Sequence, residues 1–354
     1  MSSSAPKTLI TGGAGFIGCN AVRRFLERGH RVVVVDNLSR KGTPENLAWA
    51  RQYGEFEFEK LDIRSEESMN DLFARHRDVD NVIHLAGQVA VTTSVINPRE
   101  DFDINALGTF NILEAIRLQG IKPVVLFSST NKVYGGMEEV AVEEKNGRYQ
   151  YRDLAAGVSE TELLDFHSPY GCSKGAADQY VRDYHRIYDF PTIVFRQSCM
   201  YGRRQLGMED QGWVAWFVIC CVLDKEVTIF GDGKQVRDAL YSQDLLDAYE
   251  ASIANIDKTA GQVYNVGGGP ANQLSLLELI AYLEEFSGKK MSVKFADWRP
   301  GDQPVFVSNI AKSKRDFNWE PKTSLREGIH LLYNWVQEHE AMFRELHGIP
   351  AKAR

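Results

Sequence analysis

The stretch Thr11-Gly12-Gly13-Ala14-Gly15-Phe16-Ile17-Gly18 sets Gly12, Gly15 and Gly18 three residues apart, between an apolar run at 8–11 and a helix-patterned run at Phe16–Glu27. A loop without Cβ atoms at those positions lets backbone approach a ligand closely. The helix that begins there directs N–H groups and a partial positive charge at the same point. These features fit a pyrophosphate, with Gly12, Gly15, Phe16, Ile17 and Gly18 as candidate contacts.

On the C-terminal side of this loop the chain alternates. A β-branched run, Arg31–Val35, ends at Asp36; run 55–61 ends at Asp62; run 81–85 ends at Ala86-Gly87; and run 123–128 ends at Ser129-Thr130. Helix-patterned stretches, 65–75 and 104–118 among them, lie between these runs. Strands separated by helices predict βαβ units and an α/β fold with a doubly wound parallel sheet of Rossmann type. Every one of these strands ends in small or polar residues, where open α/β sheets place their ligands.

The second half is less regular. Residues 196–207 read as a strand entering a loop rich in Gly, Arg and Gln, 227–238 carry the turn Gly231-Asp232-Gly233, and 263–269 form a short strand closed by three glycines. Residues 274–286 have helical spacing, and 325–346 read as a pair of amphipathic helices. There is no internal repeat and no clean linker. The expected organisation is a cofactor-binding domain over 1–195 with returning segments near 236–262. A smaller, interleaved α/β substrate domain follows, mainly 196–340, with a tail at 341–354.

The chain has 354 residues, 44% hydrophobic and 25% charged, with a net charge of −7. These are ordinary globular proportions, and the acidic balance argues against a nucleic-acid or anionic-membrane partner. The first residues, 1–7, have no apolar signal-type stretch, and the longest apolar run, Trp213–Leu223, is too short to span a bilayer. Five cysteines, with Cys220 and Cys221 adjacent, show no metal-ligand spacing. The expectation is a cytoplasmic protein with free thiols, no structural metal and no membrane partner.

Asp36 stands about 20 residues beyond the glycine loop at the end of the next strand, the place of a ribose-binding carboxylate. Such a carboxylate accepts from ribose hydroxyls and repels a 2′-phosphate, so NAD is the expected cofactor, with Arg40 and Lys41 the contrary sign. Asn37, Ser39 and Arg40 share its loop and join the cofactor set. Asp62 and Ile63 suit the adenine, although Asp62 also reads as a helix cap. Leu85, Ala86, Gly87 and Gln88 border the cofactor at the next strand end, and Asn105 and Ser128 complete the set.

Tyr170-Gly171-Cys172-Ser173-Lys174 places a phenol and an ammonium one helical turn apart on one face. A tyrosine titrates near ~10, too high for an efficient base at neutral pH. Lys174 and a positive nicotinamide ring are expected to lower that value by stabilising the phenolate. Thr130, at the end of the 123–128 run, is placed to hydrogen-bond the same reacting oxygen. Thr130, Tyr170 and Lys174 are the candidate catalytic residues.

The glycine loop, Tyr170-x-x-x-Lys174 and Thr130 together resemble the extended short-chain dehydrogenase/reductase family that acts on nucleotide sugars, over nearly the whole chain. The resemblance implies a recycled NAD that turns a ring hydroxyl into a ketone and back. The 4,6-dehydratases of that family carry Asp-Glu after the threonine, and the decarboxylases usually place Glu in this segment; here Asn131 and Lys132 follow, which disfavours both. The strings Ser-Thr-Asn-Lys-Val-Tyr-Gly within 128–135, Asp165 to Tyr180 and Asp210-Gln211-Gly212-Trp213-Val214 look like the CDP-tyvelose (CDP-paratose) 2-epimerases. That implies a tightly held NAD⁺, a CDP-hexose oxidised at carbon 2, and a 2-keto sugar that turns before reduction on its other face.

In this family, positions matching Arg237 and Arg299 hold the diphosphate and one matching Asp302 contacts the nucleoside ribose. Arg204-Gln205 is a further possible anchor. For Arg237 the alternative is a surface pair with its neighbour Asp238. The full substrate set implied is Gln88, Thr130, Asn131, Lys132, Cys199, Gln205, Gln211, Val214, Arg237, Arg299 and Asp302. Cys199 stands where many relatives have Asn, and Gln197 replaces the His expected in the 2-epimerases. A 4-epimerase acting on a UDP-sugar, a net NAD(P)-dependent sugar-nucleotide oxidoreductase and a redox-dead sensor on the same fold are the competing readings. By analogy with the family, helices at 104–118 and 175–188 form the interface of a homodimer or homotetramer.

Overall fold

Val32-Val33-Val34-Val35 cannot face solvent on either side, and runs of this kind form the centre of the molecule. In a computed structural model that describes residues 5–299 and 302–350, the strands in chain order begin with β1 (Lys7–Thr11), β2 (Arg31–Val35), β3 (Glu57–Glu59), β4 (Asn81–His84) and β5 (Val124–Thr130). They continue with β6 (Val142–Lys145), β7 (Arg148–Tyr151), β8 (Thr192–Gln197), β9 (Cys199–Tyr201), β10 (Val227–Phe230) and β11 (Val236–Tyr241). The last are β12 (Gln262–Val266), β13 (Gln273–Ser275), β14 (Val293–Ala296) and β15 (Val305–Phe306).

Seven strands form one parallel sheet in the order β12-β8-β5-β4-β1-β2-β3. The chain winds outward from β1 through β2 to β3, then restarts at β4 on the other side. That reversal opens a crevice beyond the carboxyl ends of β1 and β4, where a doubly wound sheet takes its ligand. Helices Phe16–Glu27, Glu66–Arg75, Gly108–Leu118, Ser168–Tyr188 and Ser242–Ala254 bury one stripe each against the two faces.

The second lobe is built around Trp213–Leu223. All of this helix except Trp213 is buried, because it is apolar all round. Helices Leu276–Ser287, Leu325–Glu338 and Glu340–Leu346 pack about it, and the small sheet β13-β11-β15 with β9 lies against the same core. The hairpin β6–β7 leaves the first lobe after β5 and reaches the second: the Tyr149 N–H donates to the Lys234 carbonyl at 3.0 Å and its hydroxyl to Asp232 at 2.7 Å.

Some bounds differ from the sequence reading. Run 55–61 narrows to β3 because an edge strand has one neighbour to pair with. The strand read at 263–269 stops at Val266, where Gly267 to Gly269 peel away so that the Gly269 N–H reaches the buried Asp238 carboxylate at 3.0 Å. The helix read at 104–118 is a π-helical turn, Asp103–Leu107, running into Gly108–Leu118. Of the tail at 341–354, residues 351–354 lie outside the described residues, as do Pro300 and Gly301 of the Arg299–Asp302 string. All five cysteines are free, and no metal-binding cluster and no helix long and apolar enough to cross a membrane occur among the described residues.

Candidate active site

The carboxyl ends of β1, β2, β4 and β5 and the facing surface of the second lobe enclose a cavity of about 780 Å³. At one end the glycine loop closes tightly: Gly12 N–H donates to the Val35 carbonyl at 2.8 Å and Gly15 N–H to the Gly12 carbonyl at 3.0 Å. Gly12 has φ +67°, and a Cβ there would lie 2.7 Å from the Ala86 nitrogen. A Cβ on Gly18 would lie 2.1 Å from the Gly12 carbonyl oxygen. Glycine is therefore required for the loop to sit on β4 and for the helix to sit on the loop. The cradle leaves room beside backbone N–H groups, which is what a dinucleotide pyrophosphate needs.

Asp36 follows on β2, with its carboxylate accepting from Ala14 N–H at 3.0 Å and Leu38 N–H at 2.8 Å. Burial pushes its carboxyl up, and those two donors oppose the shift. Asp62 is not a helix cap: Ser65 holds that place, accepting from Ser68 N–H at 3.2 Å. Asp62 instead pairs with Arg64 at 2.7 Å and accepts from Asn37 at 3.0 Å, and the Arg64 guanidinium holds its carboxyl down at about 2. Phe16, Ile17, Ser39, Arg40, Ile63, Leu85, Ala86, Gly87 and Ser128 line the same cavity.

Gln88 and Asn105 do not line it. The Gln88 side chain turns back onto Ala90, and Asn105 grips the Gln88 backbone, accepting from its N–H at 2.9 Å and donating to its carbonyl at 3.1 Å. Both residues shape the Gly87 turn from behind; Gln88 was expected to touch cofactor and substrate, Asn105 the cofactor.

Tyr170 and Lys174 lie on one face of the Ser168–Tyr188 helix, both buried. Burial pushes the Tyr170 phenol up to about 12; a hydrogen bond with Thr130 works against this, and the Asp101 charge works with it. The expectation that Lys174 lowers this phenol is not met in the chain alone. Lys174 donates to the Ser128 carbonyl at 2.6 Å and sits 4.2 Å from the centre of the Phe127 ring. Burial drives its ammonium down to about 7, against the pull of Asp178 and Asp101. Thr130 accepts from Lys132 N–H at 3.2 Å at the head of a short turn, Asn131–Tyr134, that carries Asn131 and Lys132 along the cavity wall.

The opposite end of the cavity is polar and belongs to the second lobe. Arg237 and Asp238 are neighbours on β11, so their side chains point to opposite faces. Asp238 is buried with Ser198 and Gly269, whereas Arg237 pairs with Asp302 at 2.6 Å. The Lys132 ammonium lies 3.8 Å from the same carboxylate. Burial would raise the Asp302 carboxyl, but Arg237 and Lys132 hold it below the usual range. Arg299 lies 4.0 Å from the Phe230 ring centre and reaches the Glu209 carbonyl at 3.2 Å and Asp210 at 3.3 Å, clasping two loops over the opening.

Arg204 is used by the fold: it donates to Asn46 at 2.9 Å and lies between the Trp49 and Trp335 rings, at 5.1 and 5.7 Å. Cys199 accepts from the Trp213 indole N–H at 3.3 Å, and Gln197 donates to the Tyr249 hydroxyl at 2.9 Å. Gln205, Gln211 and Val214 line the wall beside them. Gln235 and Trp213 also border the cavity; neither is among the substrate residues implied by the sequence, although both lie within stretches quoted for other residues. The Oε1 atoms of Gln205 and Gln235 are buried without a partner among the described residues, acceptors suited to ligand hydroxyls or amides.

Residues 8–267 match the model of the NAD dependent epimerase/dehydratase family. The chain belongs to that family. Over 335 residues, 93% of this chain and 99% of the relative, it is 46% identical to a CDP-paratose 2-epimerase of Salmonella typhi. The fold matches a UDP-glucose 4-epimerase of Thermotoga maritima solved with UDP-glucose, with TM-score 0.82 and 33% identity, over 94% of this chain and 99% of that one. It also matches a Thermus thermophilus UDP-glucose 4-epimerase solved with NAD, with TM-score 0.78 and 31% identity, over 93% and 98% of the two chains. As a member of the epimerase/dehydratase family the chain is an NAD-dependent enzyme, and its chemistry is epimerisation or dehydration of a nucleotide-diphosphate sugar.

Proposed function

We propose that this enzyme inverts carbon 2 of a CDP-hexose such as CDP-paratose, CDP-tyvelose or a CDP-glucose-like sugar. The observation that carries the reading is the 46% identity to a CDP-paratose 2-epimerase over almost the full length of both chains. Bound NAD supplies hydride acceptance and return, so that the sugar passes through a ketone with no net redox change. Gly12, Gly15, Gly18 and Asp36 would hold it.

The chain's own residues then have three tasks. Thr130 and Tyr170 hydrogen-bond the reacting sugar oxygen, and the Tyr170 phenol oxygen takes and returns its proton. With the phenol at about 12 in the chain alone, proton removal depends on a positive charge at that end of the cavity, which oxidised nicotinamide carries. Lys174, fixed on the Ser128 carbonyl one helical turn from Tyr170, supplies positive charge to the pair when protonated. Arg237 and Arg299 anchor the diphosphate while the sugar turns, since guanidinium forks suit phosphate oxygens. Asn131 and Lys132 offer no carboxylate beside Thr130, which favours epimerisation over loss of water.

A UDP-sugar 4-epimerase is the second reading. It is supported by further relatives near 30% identity, such as the UDP-glucose 4-epimerase of Bacillus subtilis at 30%, and by the fold match to the Thermotoga maritima enzyme. Incubation with CDP-paratose and, separately, UDP-glucose, with the products read by NMR, decides between them. The expected result is the carbon-2 epimer of the CDP-sugar, without solvent deuterium at carbon 2 in deuterated water. Conversion of UDP-glucose alone overturns the proposal in favour of the second reading.

We also infer a homodimer through the helices Gly108–Leu118 and Ser168–Tyr188. Phe110 and Tyr180, both exposed, stack edge to face at 5.5 Å, and the same two helices also expose Leu118 and Ile187. A mass in solution equal to that of one chain overturns this.

A further inference from the structure

Asp101 is 1% exposed, lies in the short helix Pro98–Phe102, and has no part in the roles assigned above. Its carboxylate accepts from the Ser173 hydroxyl at 2.5 Å and from the Asn105 amide at 3.2 Å. Ser173 stands between Tyr170 and Lys174 on their helix. The Asn105 amide also reaches the Ser173 oxygen, at 3.1 Å, and Asn105 holds the Gln88 backbone at both its N–H and its carbonyl. One buried carboxylate thus joins the helical turn that carries the redox pair to the strand end that borders the cofactor groove.

Among the described residues Asp101 has no ion pair. Burial pushes the Asp101 carboxyl up, and the Ser173 hydroxyl, the Lys174 ammonium and the Asn105 amide oppose that shift, so the groups that favour its charge belong to the site. The surrounding elements supply little to neutralise it. The helix Val91–Ile96 offers the Ser94 hydroxyl, which accepts from Tyr170 N–H, and no titratable group. Glu100, on the same helix as Asp101, turns to Asn97, and Asp103 in the next turn pairs with Arg99. The long helix brings Tyr170 and Lys174. Lys174 also senses Asp178, but that carboxylate is spent on Arg196 through two bonds of 3.0 Å.

We propose that Asp101 is a positioning residue for the Tyr170/Lys174 pair: through Ser173 and Asn105 it fixes their helical turn against the Gly87-Gln88 strand end, and its charge balances the Lys174 ammonium. The inference rests on the reading of Tyr170 and Lys174 as the acid–base pair. The Asp101 charge raises both the phenol and the ammonium, so its removal shifts both titrations toward lower pH.

The test is the pH profile of kcat for the holoenzyme and its Asp101→Asn variant, which keeps the size, removes the charge, and can keep accepting from Asn105 while its amide turns donor toward the Ser173 oxygen. Both limbs are expected to move acidward together. A profile that changes height with both limbs in place overturns the proposal. Ser173→Ala keeps the charge and cuts the tie; kcat is expected to fall roughly tenfold with KM little changed. Full kcat in that variant overturns the proposal too, and this measurement stands if Asp101→Asn does not fold. Tyr170→Phe separates the two levels: an active variant removes the underlying reading, whereas an inactive one with unmoved Asp101→Asn limbs removes only the role of Asp101.

Discussion

Tyr170 and Lys174 are displaced in opposite directions by one cause, burial, and both displacements oppose the charged forms the reaction uses. Removing the phenol oxygen while keeping the ring should preserve the fold and lower kcat on the CDP-sugar by about 10²–10⁴-fold, the usual weight of a positioned general base. Steady-state turnover of Tyr170→Phe measures it. Lys174 also makes a pH-dependent contribution to stability. Its folded value of about 7 lies below the ~10.4 of an unfolded lysine, so between those values the unfolded chain binds the extra proton and the folded state gains stability as pH rises. A Lys174→Met variant lacks this dependence. Its thermal midpoint relative to the parent, measured cofactor-free, should be most favourable near pH 7 and fall steadily toward pH 10; a constant difference would remove the buried charge from the account.

The glycine loop and the helix after it form one element, and contacts at Gly12, Gly15 and Gly18 predict two kinds of outcome. Gly18→Ala places a Cβ against the Gly12 carbonyl, and Gly12→Ala meets the Ala86 backbone at a positive φ, so neither can be relieved by a side-chain shift. Each should destabilise by about 1–3 kcal/mol and abolish co-purified NAD, read by denaturant midpoint and absorbance ratio. Gly15→Ala has its nearest contact at 3.1 Å and faces the cavity, so it should lose NAD with little loss of stability. This element was legible in sequence because its signal is local: a strand, a loop, a helix and an aspartate at the next strand end. Tyr170 and Lys174 were legible for the same reason, one helical turn apart. Asp101 carried no local signal, since its partners come from the next turn and from a helix some 70 residues on. The pair of Arg237 with Asp302 was not legible: Asp302 arrives from a distant loop, and the Asp238 pair weighed as the alternative does not form because strand alternation sends adjacent side chains to opposite faces.

Across the whole molecule, one side of the seven-stranded sheet is tied to its covering helix by a buried polar chain that runs from β5 through the Ser168–Tyr188 helix and β8 to β12. Ser129 donates to Asp178, Asp178 pairs with Arg196, Arg196 reaches the Tyr134 hydroxyl, and Tyr134 donates to Asn265 on β12. The pair at its centre is 2% and 0% exposed, so Asp178→Asn leaves a guanidinium charged and unmatched in the interior. The expected cost is about 3–5 kcal/mol, against the near-neutral effect of exposed pairs such as Lys314–Glu320. Urea midpoints of Asp178→Asn and Glu320→Gln make the comparison, and equal shifts would contradict it.

The place of β12 has a consequence for how the protein is made. β8 is the last strand of the first lobe before the chain leaves to build β9 to β11, yet its outer neighbour is β12, some 65 residues later. During synthesis the buried edge Thr192–Gln197 therefore emerges from the ribosome well before the strand that covers it. A nascent chain paused between residues 200 and 260 presents an open, apolar edge, and that interval is where binding by a chaperone would matter most for yield.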